Sequence, residues 1–416
     1  MGGIKRKKPI EPPGYKTRIK VIGIGGGGSS IVSEIAPEVK NASFVAVNTD
    51  RQALKEVSGK VKRFQLGQKL THGLGTGMNP ALGEQVARDE KEKIKKLLEE
   101  QDFCILISCL GGGTGTGASP VFAEISNELK NITLGIFILP FEFEGKKKMG
   151  IAHASLEKLK PNLNALVIIP NEKIFQIIDK KTPLKDAFSA INKFLAEGLE
   201  GLIGMIYHSG LINIDFADLK TVLEGRGALA YLNAVEMKSS SQIEDVAGKI
   251  LSNPLYPYSP QEAAGVLFNI DGGLNLSMQE IEEIGKTIAN FIRPQGRVAF
   301  GVTRGQPGKI KITLLANGCK WEEWKKKPVK KRIIKPEKKP VELLKVPQPE
   351  TLESSEKEKP KKVKKPSQKF KLGKKVKIKV KQPTLDLNEI FQKEEKKMLA
   401  RERKFDIPAF LRRKSS

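Results

Sequence analysis

LGGGTGTGAS, at residues Leu110–Ser119, follows the wholly apolar run FCILIS at Phe103–Ser108. A short run of this kind reads as a strand buried on both faces. Helical spacing follows it, from Ser119 to Leu129. A glycine run between strand and helix has two readings. It is a tight turn, or it brings bare backbone N–H groups and a helix N-terminus against an anion. A second stretch decides between them. RIKVIGI at Arg18–Ile24 is another strand, ending in Gly25–Gly28, and a helix-compatible segment runs from Ser30 to Ile35. Two glycine loops after two strands of one parallel sheet meet at its carboxyl edge, where such sheets bind ligands. Gly111–Gly117 is therefore read as a phosphate bed, with Thr114 and Thr116 adding hydroxyls.

Further strand signals lie at Ala42–Val47, Val61–Leu66, Ile132–Leu139 and Leu163–Ile169. Pro80–Glu100 reads as one helix, opened by proline and laced with Glu/Lys pairs. Leu184–Tyr207 keeps helical spacing long enough to cross from one domain to another. Strand and helix signals then continue to about Ala316 as GALAYL, IEDVAGKIL, AAGVLFNI, MQEIEEIGKTIANFI, RVAFGV and KIKITLLA. The expected fold is α/β: a Rossmann-like parallel-sheet domain, a long central helix, an α+β C-terminal domain and a disordered basic tail. The expected boundaries are a flexible N-terminal leader at 1–16, the nucleotide domain at 17–183 and the central helix at 184–212. The α+β domain follows at 213–319, a disordered basic linker at 320–384, and a C-terminal helix with a docking peptide at 385–416.

The 416 residues carry a formal net charge of +26, unevenly spread. Residues 320–384 hold 24 Lys and Arg against 8 Asp and Glu, so the imbalance belongs mainly to a tail. Such a linker is an extended tether, or is drawn to anionic lipid or an acidic partner in a salt-dependent way. Phe370 is the only aromatic between Trp324 and Phe391, which argues against specific nucleic-acid readout by base stacking. Three cysteines (Cys104, Cys109 and Cys319) with no C-x-x-C point to a reducing compartment and away from a zinc site. No apolar run approaches the roughly 18 residues of a spanning helix, and the basic N-terminus lacks the apolar core of a signal peptide. A cytoplasmic location is expected. There is no G-x-x-x-x-G-K-[ST], so the chain is not a P-loop NTPase.

GGGTGTG at 111–117 resembles the signature of the tubulin/FtsZ superfamily. FVAVNTD at 44–50, LGQKLTHGLGTGMNP at 66–80, PFEFEGKKKM at 140–149, IPNEK at 169–173 and NIDFADLKTVL at 213–223 narrow the likeness to the FtsZ family of cell-division GTPases. DIPAFLRR at 406–413 resembles that family's C-terminal motif. The resemblance spans roughly 17–319 and the last dozen residues. It implies a GTPase that polymerises head to tail into a cytokinetic ring, with GTP/GDP and Mg²⁺ as cofactors and a monovalent cation as a further candidate.

Carried over by position, Gly25, Gly26, Gly27, Ser29 and Ser30, with Gly111, Gly112, Gly113, Thr114, Gly115, Thr116 and Gly117, hold the phosphates and their surroundings. Gly75, Thr76 and Gly77 lie by the γ-phosphate, Glu144 holds the ribose, and Asn48, Lys148, Asn171 and Asn192 contact the nucleotide. Phe188 stacks on the base. Asn213, Asp215 and Asp218 enter the next subunit's pocket and complete catalysis there. No protein metal ligand is implied. Asp406, Ile407, Pro408, Phe410 and Leu411 dock membrane-tethering division proteins at mid-cell.

Four positions depart from the family pattern. Ser30 and Ser33 stand where asparagines are usual, and Lys148 stands where an arginine is usual. Lys193 stands where a carboxylate reads the guanine edge, and an ammonium has nothing to accept with. Either Asn192 or Asn171 reads the base, or base selectivity is relaxed. A DNA-partitioning relative is the competing reading, which DIPAFLRR speaks against. A Rossmann dehydrogenase would use Asp50 after the second strand, but leaves the second glycine loop and the 213–218 loop without a role.

Overall fold

The computed structural model describes residues 16–179, 181–238, 248–273 and 276–321. The expected leader, most of IEDVAGKIL, nearly all of the linker, the C-terminal helix and the docking peptide lie outside these residues. Apolar runs at Ile19–Ile24 (β1), Ser43–Asn48 (β2), Phe103–Cys109 (β4), Ile132–Leu139 (β5) and Ala165–Pro170 (β6) form parallel strands. The more polar Lys62–Gln65 (β3) takes the outer edge beside β2. Ala228–Lys238 (β7), Ala263–Gly272 (β8), Ile292–Arg304 (β9) and Lys309–Cys319 (β10) follow later in the chain. One sheet contains them all, in the order β3-β2-β1-β4-β5-β6-β7-β10-β8-β9. The join is narrow, since β6 and β7 pair only through Ala165–Ala228 and Leu166–Leu229. β10 is antiparallel to both its neighbours.

The helices are Gly25–Ile35 (α1), Arg51–Lys55 (α2), Gln68–Thr71 (α3), Pro80–Asp89 (α4) and Lys91–Leu98 (α5). Thr114–Glu128 (α6), Lys146–Leu159 (α7), Leu184–Tyr207 (α8), Phe216–Val222 (α9) and Met278–Ala289 (α10) follow, and residues 248–251 add a short helical stretch. Three expectations are corrected. The helix read from Pro80 to Glu100 is two helices, broken where Glu90 leaves helical geometry at φ −106°, ψ 24°. Its carboxylate there accepts the Gly67 N–H at 3.2 Å, a contact no local pattern encodes. The helices placed after the glycine runs begin inside or against them, at Gly25 and Thr114 rather than Ser30 and Ser119. Helix α7 has no counterpart in the sequence reading, because three lysines and Gly150 blur its apolar stripe.

Helix α6 continues through Pro120, which has no N–H to give the Thr116 carbonyl one turn back. Ser155 on α7 supplies the missing donor, its hydroxyl reaching Thr116 O at 2.8 Å. Helix α8, 24 residues long, rises about 36 Å. Gly198 on α8 lies over Leu232 of β7 and Gly201 over Thr313 of β10, so two missing side chains let the helix lie close to the second half of the sheet.

Gly117 seats α6 on α4, because a Cβ there overlaps the Pro80 carbonyl and lies 2.6 Å from the Glu84 nitrogen. Gly117→Ala is predicted to lower the unfolding free energy by about 1–3 kcal/mol. Urea unfolding measures this, and an unchanged midpoint would show that α4 and α6 can separate without cost.

Candidate functional site

Strand β1 pairs with β2 on one side and β4 on the other, so the chain order reverses between β1 and β4. A crevice opens at that point beyond the carboxyl ends of the strands. The first four N–H groups of a helix lack intrahelical partners. Side chains cap them on α2 (Asp50), α4 (Asn79), α9 (Asp215) and α10 (Ser277). Neither α1 nor α6 has a side-chain cap, and both begin at the crevice. Two free, positively polarised helix ends therefore share one opening.

The glycines there do different things. Gly25, at φ +80°, lets its backbone lie on that of Gly115, where a Cβ would stand 2.6 Å from the Gly115 nitrogen. Gly27 is pressed on Cys109 and Gly113 on Thr76. Gly26, Gly77 and Gly112 have open space where a Cβ would be. The first group brings the two loops together, and the second leaves room for something to lie on them.

The resulting cleft has a volume of about 440 Å³. It gathers Gly26, Gly27, Asn48, Gly75, Thr76, Gly77, Gly111 to Gly115, Glu144, Lys148 and Asn171 from the residues picked out in the sequence. The remaining picks stand around it. Gly25 and Gly117 are packing positions. Ser29 and Ser30 hydroxyls donate to Val47 O and Gly26 O, and Thr116 Oγ1 accepts the Gly111 N–H at 2.9 Å. Phe188 rests against Phe141, ring centroids 6.2 Å apart, with 37% of its surface exposed. Asn192 is buried and donates to Glu34 at 2.7 Å. Asp50 and Cys109 line the cleft without having been assigned to it. The TD that closes FVAVNTD was the available signal for Asp50.

Polar groups in the cleft are mostly anchored. The hydroxyls of Thr49 and Thr114 lie 2.6 Å apart and those of Thr76 and Thr114 3.2 Å apart, tying three loops together. Asp50 caps α2 through Oδ1. Glu144 accepts from Phe141 N and from Lys148 Nζ, both at 2.8 Å. Burial works against its charge, but those two donors outweigh it and hold the carboxyl below its ordinary value. Burial pushes the Cys109 thiol up to about 12, so it is neutral at ordinary pH and adds no repulsion to an anion. Asn171 Oδ1 is buried with no partner among the described residues, a cleft acceptor shut off from water and left asking for a donor. The arrangement suits an extended ligand with phosphates at the helix ends and a donor-bearing group near Asn171.

Asn213, Asp215 and Asp218 are elsewhere. The long helix α8 starts near Phe141 at the carboxyl edge and ends at Tyr207, whose hydroxyl donates to Thr17 O just before β1. The residues after it therefore sit at the amino edge. Leu211 N and Ile212 N both donate to Val302 O, which fixes this loop to β9. Asn213 Oδ1 accepts from Gly210 N at 2.6 Å. Asp215 and Asp218 form a reciprocal capping box on α9, at 2.9 and 3.0 Å. Both carboxylates are thus helix caps in the single chain, and neither lies in its own cleft.

Gly112→Ala adds a methyl group into the open bed and touches nothing else. Its stability is predicted to stay within about 0.5 kcal/mol of the parent, while affinity for a nucleoside triphosphate falls tenfold or more. Titration calorimetry with a parallel melting curve checks both, and undiminished binding would remove Gly112 from the bed.

The Tubulin/FtsZ family GTPase domain matches residues 18–179, and the FtsZ family C-terminal domain matches 228–320. An empty FtsZ dimer from M. jannaschii is 36% identical, over 73% of this chain and 89% of that one, with a TM-score of 0.66. CetZ2 from Haloferax volcanii, solved as a GTPγS-bound protofilament, is 20% identical over 73% of this chain and 94% of its own, with a TM-score of 0.63. That second likeness concerns the fold alone. With a GTPase domain around the cleft, an FtsZ C-terminal domain beyond α8 and an FtsZ relative at this identity, the chain belongs to the tubulin/FtsZ family, in its FtsZ branch.

Proposed function

We propose that this chain is a GTPase that assembles head to tail into filaments and hydrolyses GTP only where two subunits meet. The observation that carries this reading is the separation of the site's two halves. The cleft's own carboxylates are Glu144, paired with Lys148, and Asp50, which holds the start of α2. Phosphoryl transfer to water needs a group that orients the water. Asp215 and Asp218 are of the right chemistry but stand at the opposite edge of the sheet. A neighbour stacked cleft to loop supplies them. That contact joins unlike ends of the molecule, so it propagates rather than closes. The dimer of the M. jannaschii relative supports self-association.

In this reading the uncapped ends of α1 and α6 hold the phosphates through backbone N–H groups. Lys148 keeps a positive charge beside the cleft, and Asn171 takes a donor from the nucleotide. Among the described residues, no group of three or more His, Cys, Asp or Glu gathers to hold a metal. Mg²⁺ needs few protein ligands when phosphates and waters complete its shell. The hydroxyls of Thr76 and Thr114 would help hold it, and it would offset charge on the phosphoryl oxygens. Filaments of this kind would form the ring at a cytoplasmic mid-cell division site. Asp406–Leu411 would dock membrane tethers there, and the basic linker would meet anionic lipid or an acidic partner.

Asp218→Asn keeps an acceptor for the Asp215 N–H and so keeps the helix cap. It is predicted to bind GTP like the parent and lose turnover by about 100-fold or more, in line with the loss of a charge-positioning group. Mixed with Gly112→Ala, it regains turnover, because one variant supplies the intact cleft and the other the intact loop. Phosphate release from each variant and the mixture decides the matter. Full activity of Asp218→Asn alone, or no recovery on mixing, would contradict a site shared between subunits.

A further inference from the structure

Glu34 and Asn192 meet where α1 and α8 run side by side, 158 positions apart in the chain. Asn192 Nδ2 donates to Glu34 Oε2 at 2.7 Å. A carboxylate can only accept, so this bond sets the orientation of the amide and leaves Asn192 Oδ1 as its free end. Neither Asn192 Oδ1 nor Glu34 Oε1 has a further hydrogen bond among the described residues. Two acceptors side by side complement an edge that offers two donors. Guanine presents N1–H and N2–H₂ on its Watson–Crick edge, whereas adenine presents one donor next to an acceptor.

The pair lies along α1, beyond the residues that line the cleft. Gly26 and Gly27, in the first turn of α1, line the cleft. Glu34 lies eight positions beyond Gly26, a rise of about 12 Å, which suits a ribose followed by a purine. Phe188 precedes Asn192 by one turn on α8 and offers a half-exposed ring. Lys193, the next residue, is exposed and carries only donors. We propose that Glu34, held in place by Asn192, is the residue that selects guanine in this chain. Its carboxylate and Asn192 Oδ1 accept from N1–H and N2–H₂, so α1 supplies the carboxylate that α8, with an amide at Asn192 on this face, does not.

This inference rests on the guanine-nucleotide reading of the cleft. It is tested by equilibrium binding of GTP, ITP and ATP to the full chain and to Glu34→Gln. ITP lacks the N2 amino group, so it separates the two donors. A glutamine at this position still accepts from Asn192 but can turn a donor toward the base. GTP affinity is predicted to fall about 10- to 100-fold, with ATP unchanged and the GTP-to-ITP preference lost. Adding Asn192→Asp to Glu34→Gln returns a carboxylate to the same place from α8, with the glutamine amide donating to it, and is predicted to recover GTP at least tenfold. Should Glu34→Gln unfold, Glu34→Ala removes the acceptor without adding a donor and is predicted to lose the same preference. Parent ratios among the three nucleotides in a folded variant, or an equal loss of all three, would overturn the role of Glu34. A parent chain that binds GTP and ATP alike would instead overturn the guanine reading itself.

Discussion

The close approach of Gly25 to Gly115 is the contact on which the rest depends. It brings the first turns of α1 and α6 to one crevice with their N–H groups uncapped. A side chain at Gly25 would push the two helix ends apart and weaken the shared positive field, and one at Gly115 would press on Ser108 and Cys109 of β4. Leaving those donors without protein partners costs stability in the empty chain. The cost is offset by the cores behind them: β1 and β4 are buried along almost their whole length, and α6 is buried on nearly every side. A ligand with several phosphate oxygens restores the missing hydrogen bonds.

Distance is the second constraint. Helix α8 is about 36 Å long, and it separates the cleft from the loop that carries Asp215 and Asp218. The loop is not free to swing, since it is bonded to Val302 on β9 and its aspartates cap α9. The same rigidity that keeps the carboxylates out of their own cleft would present them, preset, to another subunit. Assembly and chemistry then become one event, with no lid needed to couple them.

Much of this was legible in the sequence. The bounds of β5 and α8 are those expected from apolar spacing, and the two glycine runs do mark the crevice. What was not legible depends on contacts far apart in the chain. Glycine's poor helix propensity hides the fact that Gly25–Gly28 are already helical, because their packing against Ile107, Cys109 and Gly115 decides it. The break at Glu90 depends on Gly67. The different duties of Gly26 and Gly27 cannot be told from two identical letters. The bond from Asn192 to Glu34, 158 positions away on α1, could not be seen from the spacing of α8.

The most direct test of a site shared between subunits is GTP turnover per subunit measured across a wide range of protein concentration. Near-zero turnover below a threshold, with a steep rise above it that coincides with filament formation, is the result this account predicts. Turnover per subunit that stays constant on dilution would mean that one chain holds the whole catalytic site. The roles given to Asp215 and Asp218 would then be wrong.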